Sequence, residues 1–220
     1  MAKKTATHPP RIDAIRLGEL AEGDADDLRA QGRYEGLRFA GADLGGRDLG
    51  GIEFSECALD DVQAHATGFR AATFSEVEFS RFNAPVFSAP RSRFRDVTMD
   101  GSRIGSAELY ESYFNSVRFS GSKLGFVNAR GAQLLDVSFD GCTIDELDLA
   151  GATLTRVSFV DTTIRSLSIG GAKLTHLDLR GAEFAQIDGF ESLRGATLSE
   201  YQVGTLAASF ARHLGVLVED

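Results

Sequence analysis

The sequence predicts an all-β fold, a solenoid of square coils closed at its C-terminal end by one α-helix. Three observations predict it. A five-residue hydrophobic ruler runs from Phe39 to Phe184, a second inward position precedes each ruler residue by two, and a helix signature opens at Ser199. Stepping by five from Phe39 passes Leu44, Leu49, Phe54 and Leu59 and ends at Leu174, Leu179 and Phe184; all thirty positions are apolar. With apolar residues at 43% of the chain, chance would produce that run roughly once in 10¹¹ trials.

A period of five fits neither a helix nor a flat strand. It fits a chain that turns a corner after every unit, so that the ruler residue and the residue two before it both point inward. Four sides make a coil of twenty residues, and coils stack about 4.8 Å apart. Thirty units give seven and a half coils and a rod on the order of 35 Å long. The second inward position is mostly small or β-branched, as at Ala42, Cys57, Val77, Ala132 and Val157, and only Arg47 is charged there. Side-chain volumes compensate across the narrow core. The four alanines on the ruler, Ala64, Ala84, Ala89 and Ala129, follow Val62, Phe82, Phe87 and Val127.

The ends lack the ruler. Residues 1–36 are expected to form an N-terminal arm and cap: residues 1–10 disordered, Ile12, Ile15, Leu17 and Leu20 on an extended arm, and an acidic helical turn at Asp24–Leu28 covering the first coil. Residues 37–186 form the solenoid. Residues 187–220 form the C-terminal cap, where the register slips to Leu193 and Leu198 and Ser199 with Gln202 makes a capping box. A helix over about 199–214 follows, stopped by Gly215. Its apolar residues Val203, Leu206, Ala207, Phe210 and Leu214 have two readings, covering the solenoid's open end or doing so while also joining two copies.

Composition excludes several classes. A length of 220 residues means one domain or two small ones, and 25% charged residues is ordinary for a globular chain. No apolar run approaches the roughly 18 residues of a membrane span, and Lys3 and Lys4 are not followed by the apolar stretch of a secretory signal. Two cysteines, Cys57 and Cys142, make no disulfide framework, which fits a reducing cytoplasm. A net charge of -9 argues against direct contact with nucleic acid or anionic membrane.

Chemistry is sparse. His8, His65, His176 and His213 are scattered, so no metal site is expected, and no phosphate loop, nucleophile elbow or zinc-protease motif occurs. Asp145, Glu146 and Asp148 cluster, but on a convex corner with Arg165 stacked on Asp145. Paired glycosidase acids need a cleft. The expectation is a binding protein with no catalytic residue and no cofactor.

One surface carries a pattern. Residues twenty apart are stacked neighbours, so each side of the rod reads as a column. The side centred on Leu59, Phe79, Met99, Phe119 and Phe139 holds Glu56, Asp60, Glu76, Glu78, Asp96, Asp100, Asp136 and Asp140 against one basic residue, Arg118. Glu56, Glu76, Asp96 and Asp136 run down one edge; Asp60, Asp100 and Asp140 run down the other. Like charges stacked so closely repel unless screened. Two rows of anionic oxygens on a rod resemble duplex phosphate rows. The plain alternative is a solvated side that keeps the rod soluble.

The units Ala42-Asp43-Leu44-Gly45-Gly46 and Ala152-Thr153-Leu154-Thr155-Arg156 resemble the A(D/N)LXX pattern of pentapeptide-repeat proteins. The resemblance implies a right-handed quadrilateral β-helix with Phe and Leu ladders inside. In size, acidity and the pattern Leu193-Arg194-Gly195-Ala196-Thr197-Leu198-Ser199-Glu200-Tyr201-Gln202, the chain is similar to the quinolone-resistance members. That similarity implies a DNA mimic acting on DNA gyrase or another type II topoisomerase, and dimerisation through the C-terminal helix. Several of those proteins carry loops that interrupt the repeats and matter for drug protection; the unbroken ruler here favours gyrase binding over protection. The alternative is a protein-interaction scaffold of unknown partner, with the basic stretch around Arg91, Arg93 and Arg95 as its contact.

Overall fold

The computed structural model describes residues 6–218. Its strands are parallel and form two sheets of 11 and 7 strands. Each central coil contributes an eight-residue strand such as Thr73–Ser80, bent in its middle, and a six-residue strand such as Asn83–Ser88. Strand partners are twenty residues apart, as in Phe74 opposite Phe94 and Phe114 opposite Leu134. The solenoid has about 9 turns rather than seven and a half. Pairing continues past the ruler at both ends, with Ala21–Glu22 on Leu37–Ala40 and Ala196–Thr197 on Lys173–Asp178.

The corners explain the period. Three residues before most ruler positions the backbone turns left-handed, which glycine adopts without steric cost, as at Gly131 with φ 64°. Many corners use other residues all the same, including Glu56, Glu76, Asp96, Asp136 and His176. Each such residue carries about 1–2 kcal/mol of backbone strain. Closure of the coil and its interior packing hold them there.

The interior is a set of ladders. Phe74, Phe94 and Phe114 stack with ring centroids 5.0 and 4.8 Å apart, and Phe119, Phe139 and Phe159 stack at 4.8 and 5.0 Å. Stacked aromatic pairs add to the area they bury. A second ladder was not anticipated: Ser92, Ser102, Ser112, Ser122 and Thr162 are buried at inward positions. The Ser92 hydroxyl accepts from Ala72 N at 3.0 Å and donates to Phe69 O at 2.8 Å in the preceding coil. Ser112 repeats the pattern with Ser92 N and Ala89 O. These hydroxyls are satisfied by turn backbone that the sheets leave unpaired. Cys57 and Cys142 are buried free thiols, and burial pushes both up in pKa.

Both ends are covered. The side chain of Asp24 accepts from Asp26 N and caps a short helical turn, Ala25–Asp27, behind which Leu28 is buried. Arg47 points at this turn, and its guanidinium donates to the carbonyls of Ala25 and Leu28. The one charged residue at an inward position is therefore a cap for carbonyls at the turn's end. At the other end, the α-helix Glu200–His213 opens with the expected capping box: Ser199 N donates to Gln202 Oε1 at 2.8 Å and Gln202 N to Ser199 Oγ at 3.2 Å. Gln202 Nε2 also donates to Leu179 O and Ala182 O, both at 2.7 Å, closing carbonyls of the last coil.

Residues 1–5, expected to be disordered, lie outside the described residues. Residues 6–20 form the arm, and the turn at Ala25–Asp27 covers the first coil. The arm runs lengthwise down the outside of the rod. The Thr7 and Thr197 hydroxyls are hydrogen-bonded, the rings of His8 and His176 meet edge-on at 4.4 Å, and Arg11 N donates to Asp136 Oδ1 at 2.8 Å. Only at Ala21 does the segment reach the first coil, opposite Leu37.

Candidate interaction surface

The acidic side lies along the second half of each eight-residue strand, and its two edges are corners. Glu56, Glu76, Asp96 and Asp136 occupy one corner column, with φ of 50, 55, 52 and 57°. Strand register skips this column: Ser55 faces Ser75 and Cys57 faces Val77, leaving Glu56 and Glu76 free of the ladder and turned outward. On the face itself, Ala58, Glu78, Thr98, Arg118 and Ser138 are successive neighbours, and Asp60, Ser80, Asp100, Ser120 and Asp140 form the far edge. The rows predicted from the twenty-residue period therefore exist as columns one strand-width apart.

Their electrostatics differ from the bare count of acids. Asp60 is held by Arg81 and lies 3.7 Å from Arg38, whereas the period places Arg81 beside Asp61. Asp140 is 3.5 Å from Arg118, and Arg95 sits 3.9 Å from both Glu76 and Asp96. Among the described residues, Glu56, Glu78 and Asp100 have no cation within 4.0 Å; Asp100 accepts from the Ser120 hydroxyl at 2.7 Å. Such exposed pairs are individually weak, so most of these carboxylates remain open to a stronger cationic partner.

Asp136 is the exception. It is only 6% exposed, and Arg156 grips both its oxygens at 2.5 and 2.6 Å while Arg11 N caps it from outside. Burial pushes its pKa up, but the Arg156 and Arg11 contacts outweigh burial and hold it below the usual carboxylate range. Ser116 and Ser138, beside it on the outer surface, are also buried. Asp136 is committed within the protein, and of the eight predicted acids it is the one a partner cannot reach while residues 6–20 stay in place.

The predicted dimer face is divided as well. Leu206 is buried against the solenoid end, and Phe210 packs edge-on against Phe190 at 4.9 Å. Val203, Ala207 and Leu214 stay exposed, together with Tyr201, Val216, Leu217 and Val218. The helix covers the open end and still leaves an apolar strip outside.

Other weighed groups are dispersed. Asp145 pairs with Arg165 at 3.0 Å, Asp148 pairs with Arg130 at 3.3 Å, and among the described residues no group of three His, Cys, Asp or Glu side chains could hold a metal ion. No helix of the described residues is long and apolar enough to cross a membrane. A shallow groove of about 430 Å³ on the opposite flank, lined by Arg103, Gly105, Lys123 and Gly125, had no signal in the ruler. Its one trace in sequence was glycine on the outward residue after Ile104 and Leu124.

A parallel solenoid with a five-residue unit, glycine-tolerant corners and stacked Phe and Leu ladders defines a class, the quadrilateral β-helix. The family model for pentapeptide repeats matches residues 118–156 with 8 copies, and in that stretch the chain resembles pentapeptide-repeat proteins. No curated protein matches the sequence. Among solved structures, trypsin-treated QnrB1, a plasmid-mediated fluoroquinolone resistance protein, is similar at 19% identity and a TM-score of 0.56, over 90% of this chain and 95% of that one. Full-length QnrB1 aligns at 17% identity and a TM-score of 0.37, over 86% and 94%. The pentapeptide-repeat protein HetL from the cyanobacterium Nostoc, involved in heterocyst differentiation regulation, aligns at 16% identity and a TM-score of 0.22, over 76% and 91%. At 19% identity the likeness to trypsin-treated QnrB1 shows the fold alone.

Proposed function

We propose that this chain is a non-enzymatic cytoplasmic binding protein whose acidic side presents spaced carboxylates to a basic, DNA-gripping surface on a protein partner, with DNA gyrase or another type II topoisomerase as the candidate. The observation that carries the reading is the pair of acidic columns: Glu56, Glu76 and Asp96 on one edge at every coil, and Asp60, Asp100 and Asp140 on the other at every second coil. Regular anionic oxygens on a stiff rod present what duplex phosphates present to a saddle of lysine and arginine. The likeness to a fluoroquinolone resistance protein supports the choice of partner. The exposed strip of Val203, Ala207 and Leu214 would join two copies end to end and double the acidic rod.

The test is DNA supercoiling by purified gyrase with increasing amounts of the protein, with and without a fluoroquinolone. Inhibition or drug rescue that disappears in Asp96→Lys/Asp100→Lys supports the reading; Asp100 is exposed and Asp96 half-exposed, so the variant should fold. Supercoiling unaffected at micromolar protein under both conditions would overturn it, leaving a scaffold for a different partner.

A further inference from the structure

The acidic corner already has an occupant. Between Thr7 and Ala21 the chain passes from the coil of Thr197 to that of Leu37, about eight coil spacings or on the order of 38 Å. Fourteen residues cover that span only when largely extended, at about 3.3 Å each. The segment follows the corner column that contains His176, Asp136 and Gly36, so Asp96, Glu76 and Glu56 lie on its course. Ile12, Ile15, Leu17 and Leu20 are half-buried, whereas Arg11, Asp13, Arg16 and Glu19 are exposed. Beneath it, Ser116, Asp136 and Ser138 are buried although the repeat turns them outward.

The hold is slight for so long a contact. Among the described residues, Arg11 N–H is the one backbone group in residues 6–20 hydrogen-bonded to the rod; no ladder forms until Ala21. The segment is neutral in sum, Arg11 and Arg16 against Asp13 and Glu19, but Arg11 meets the corner with its positive charge and adds to the field that lowers Asp136.

We propose that this corner is a docking surface for an extended basic polypeptide, that residues 6–20 fill it within the same chain, and that a partner must displace them to bind. The inference rests on the acidic-side reading and adds a competitor to it. A cover that keeps the surface occupied most of the time weakens a partner's apparent affinity in proportion to the fraction left open.

The experiment compares the full chain with Arg11→Pro/Ile15→Ser. Proline removes the single backbone donor, serine removes one apolar anchor, and neither change touches the solenoid. Ile12→Ser/Leu17→Ser serves as a second release variant. Amide exchange over residues 6–20 reports release, and a labelled octa-arginine peptide, followed by fluorescence anisotropy at low salt, reports access to the corner. Release should tighten octa-arginine binding about fivefold to tenfold, and Glu76→Lys/Asp96→Lys in the released background should abolish the gain. Persistent protection of residues 6–20 in both release variants, equal affinity of native and released forms, or no binding to either overturns the proposal. Gyrase inhibition on the same proteins reads out separately. Inhibition that is equal in native and released forms removes the cover and leaves the partner reading standing. Tighter octa-arginine binding with no gyrase inhibition removes gyrase and keeps the cover.

Discussion

Two diagonally opposite corners of the same coils have opposite characters. One is the column of Glu56, Glu76, Asp96, Ser116, Asp136, Arg156 and His176, left-handed at every position. The other holds Val86, Ser106, Phe126, Glu146 and Ser166, none of which is left-handed, although Ala66 in the coil before them is. The register shows why. On the first corner the ladder skips Glu56 and Glu76; on the second it skips Pro85, Gly105 and Gly125, one residue earlier. A valine is poorly suited to a left-handed turn, and the bend moves to its neighbour. The shift leaves Val86 and Phe126 outward and opens the groove at Gly105 and Gly125. One corner therefore stores strain and is covered, while the other relaxes its strain by moving the bend and stays bare.

The sharpest way to break this contrast is to fill the bare corner. A Cβ at Gly125 would lie 2.2 Å from the Gly105 carbonyl oxygen. Asp145 and Arg165 occupy the same column, so the backbone can shift to admit a side chain. Gly125→Val should then destabilise by about 2–3 kcal/mol, read as a lower melting temperature, and an unchanged melting point would show that the bend is not tight.

On the covered corner, Asp136→Ala strips the partner from Arg156 and from Arg11 N–H and should cost about 2 kcal/mol. Asp136 is held below its ordinary range in the folded state. Its contribution is therefore present above the unfolded-state carboxylate pKa and is lost as pH falls through the lower folded value. Asp178, lowered by Arg180, acts in the same sense. Denaturant melts of the native protein from pH 7 to pH 2 should show stability falling in the acid range, and Asp136→Ala should flatten part of that fall.

A smaller effect of opposite sign is expected at Glu76. Its backbone is left-handed at φ 55° and its nearest cation, Arg95, is 3.9 Å away. Glu76→Gly should raise stability by about 0.5–1 kcal/mol, and a loss would mean that Glu76 holds residues 6–20 in place. Last, Phe126→Ser on the bare corner should change stability by less than about 0.5 kcal/mol, since the ring is 40% exposed.

Legibility in sequence followed periodicity. The ruler, the inward positions and the Ser199–Gln202 capping box are local patterns, and each appears in the structure as expected. The acidic columns were legible because the twenty-residue coil converts spacing into adjacency. Arg47 was visible as an anomaly, but its target lay in a segment without a ruler. The course of residues 6–20 was not legible. An extended strand with one backbone bond has no period of its own, and the pairing of Thr7 with Thr197 spans 190 residues. The inward serines read as merely small because a hydroxyl's partner is backbone, which carries no sequence signal.

That long-range pairing changes how such a rod should come apart. Stacked repeats touch only their neighbours, so an open stack can fray coil by coil from either end. Here the chain leaves the first coil at Ala21 and returns to the last at Thr7. The molecule is thus wired as a circuit: fraying at the C-terminal end must also break the Thr7 and His8 contacts. Unfolding should be more all-or-none than the repeat architecture alone would allow, and releasing residues 6–20 should turn one sharp transition into progressive unzipping.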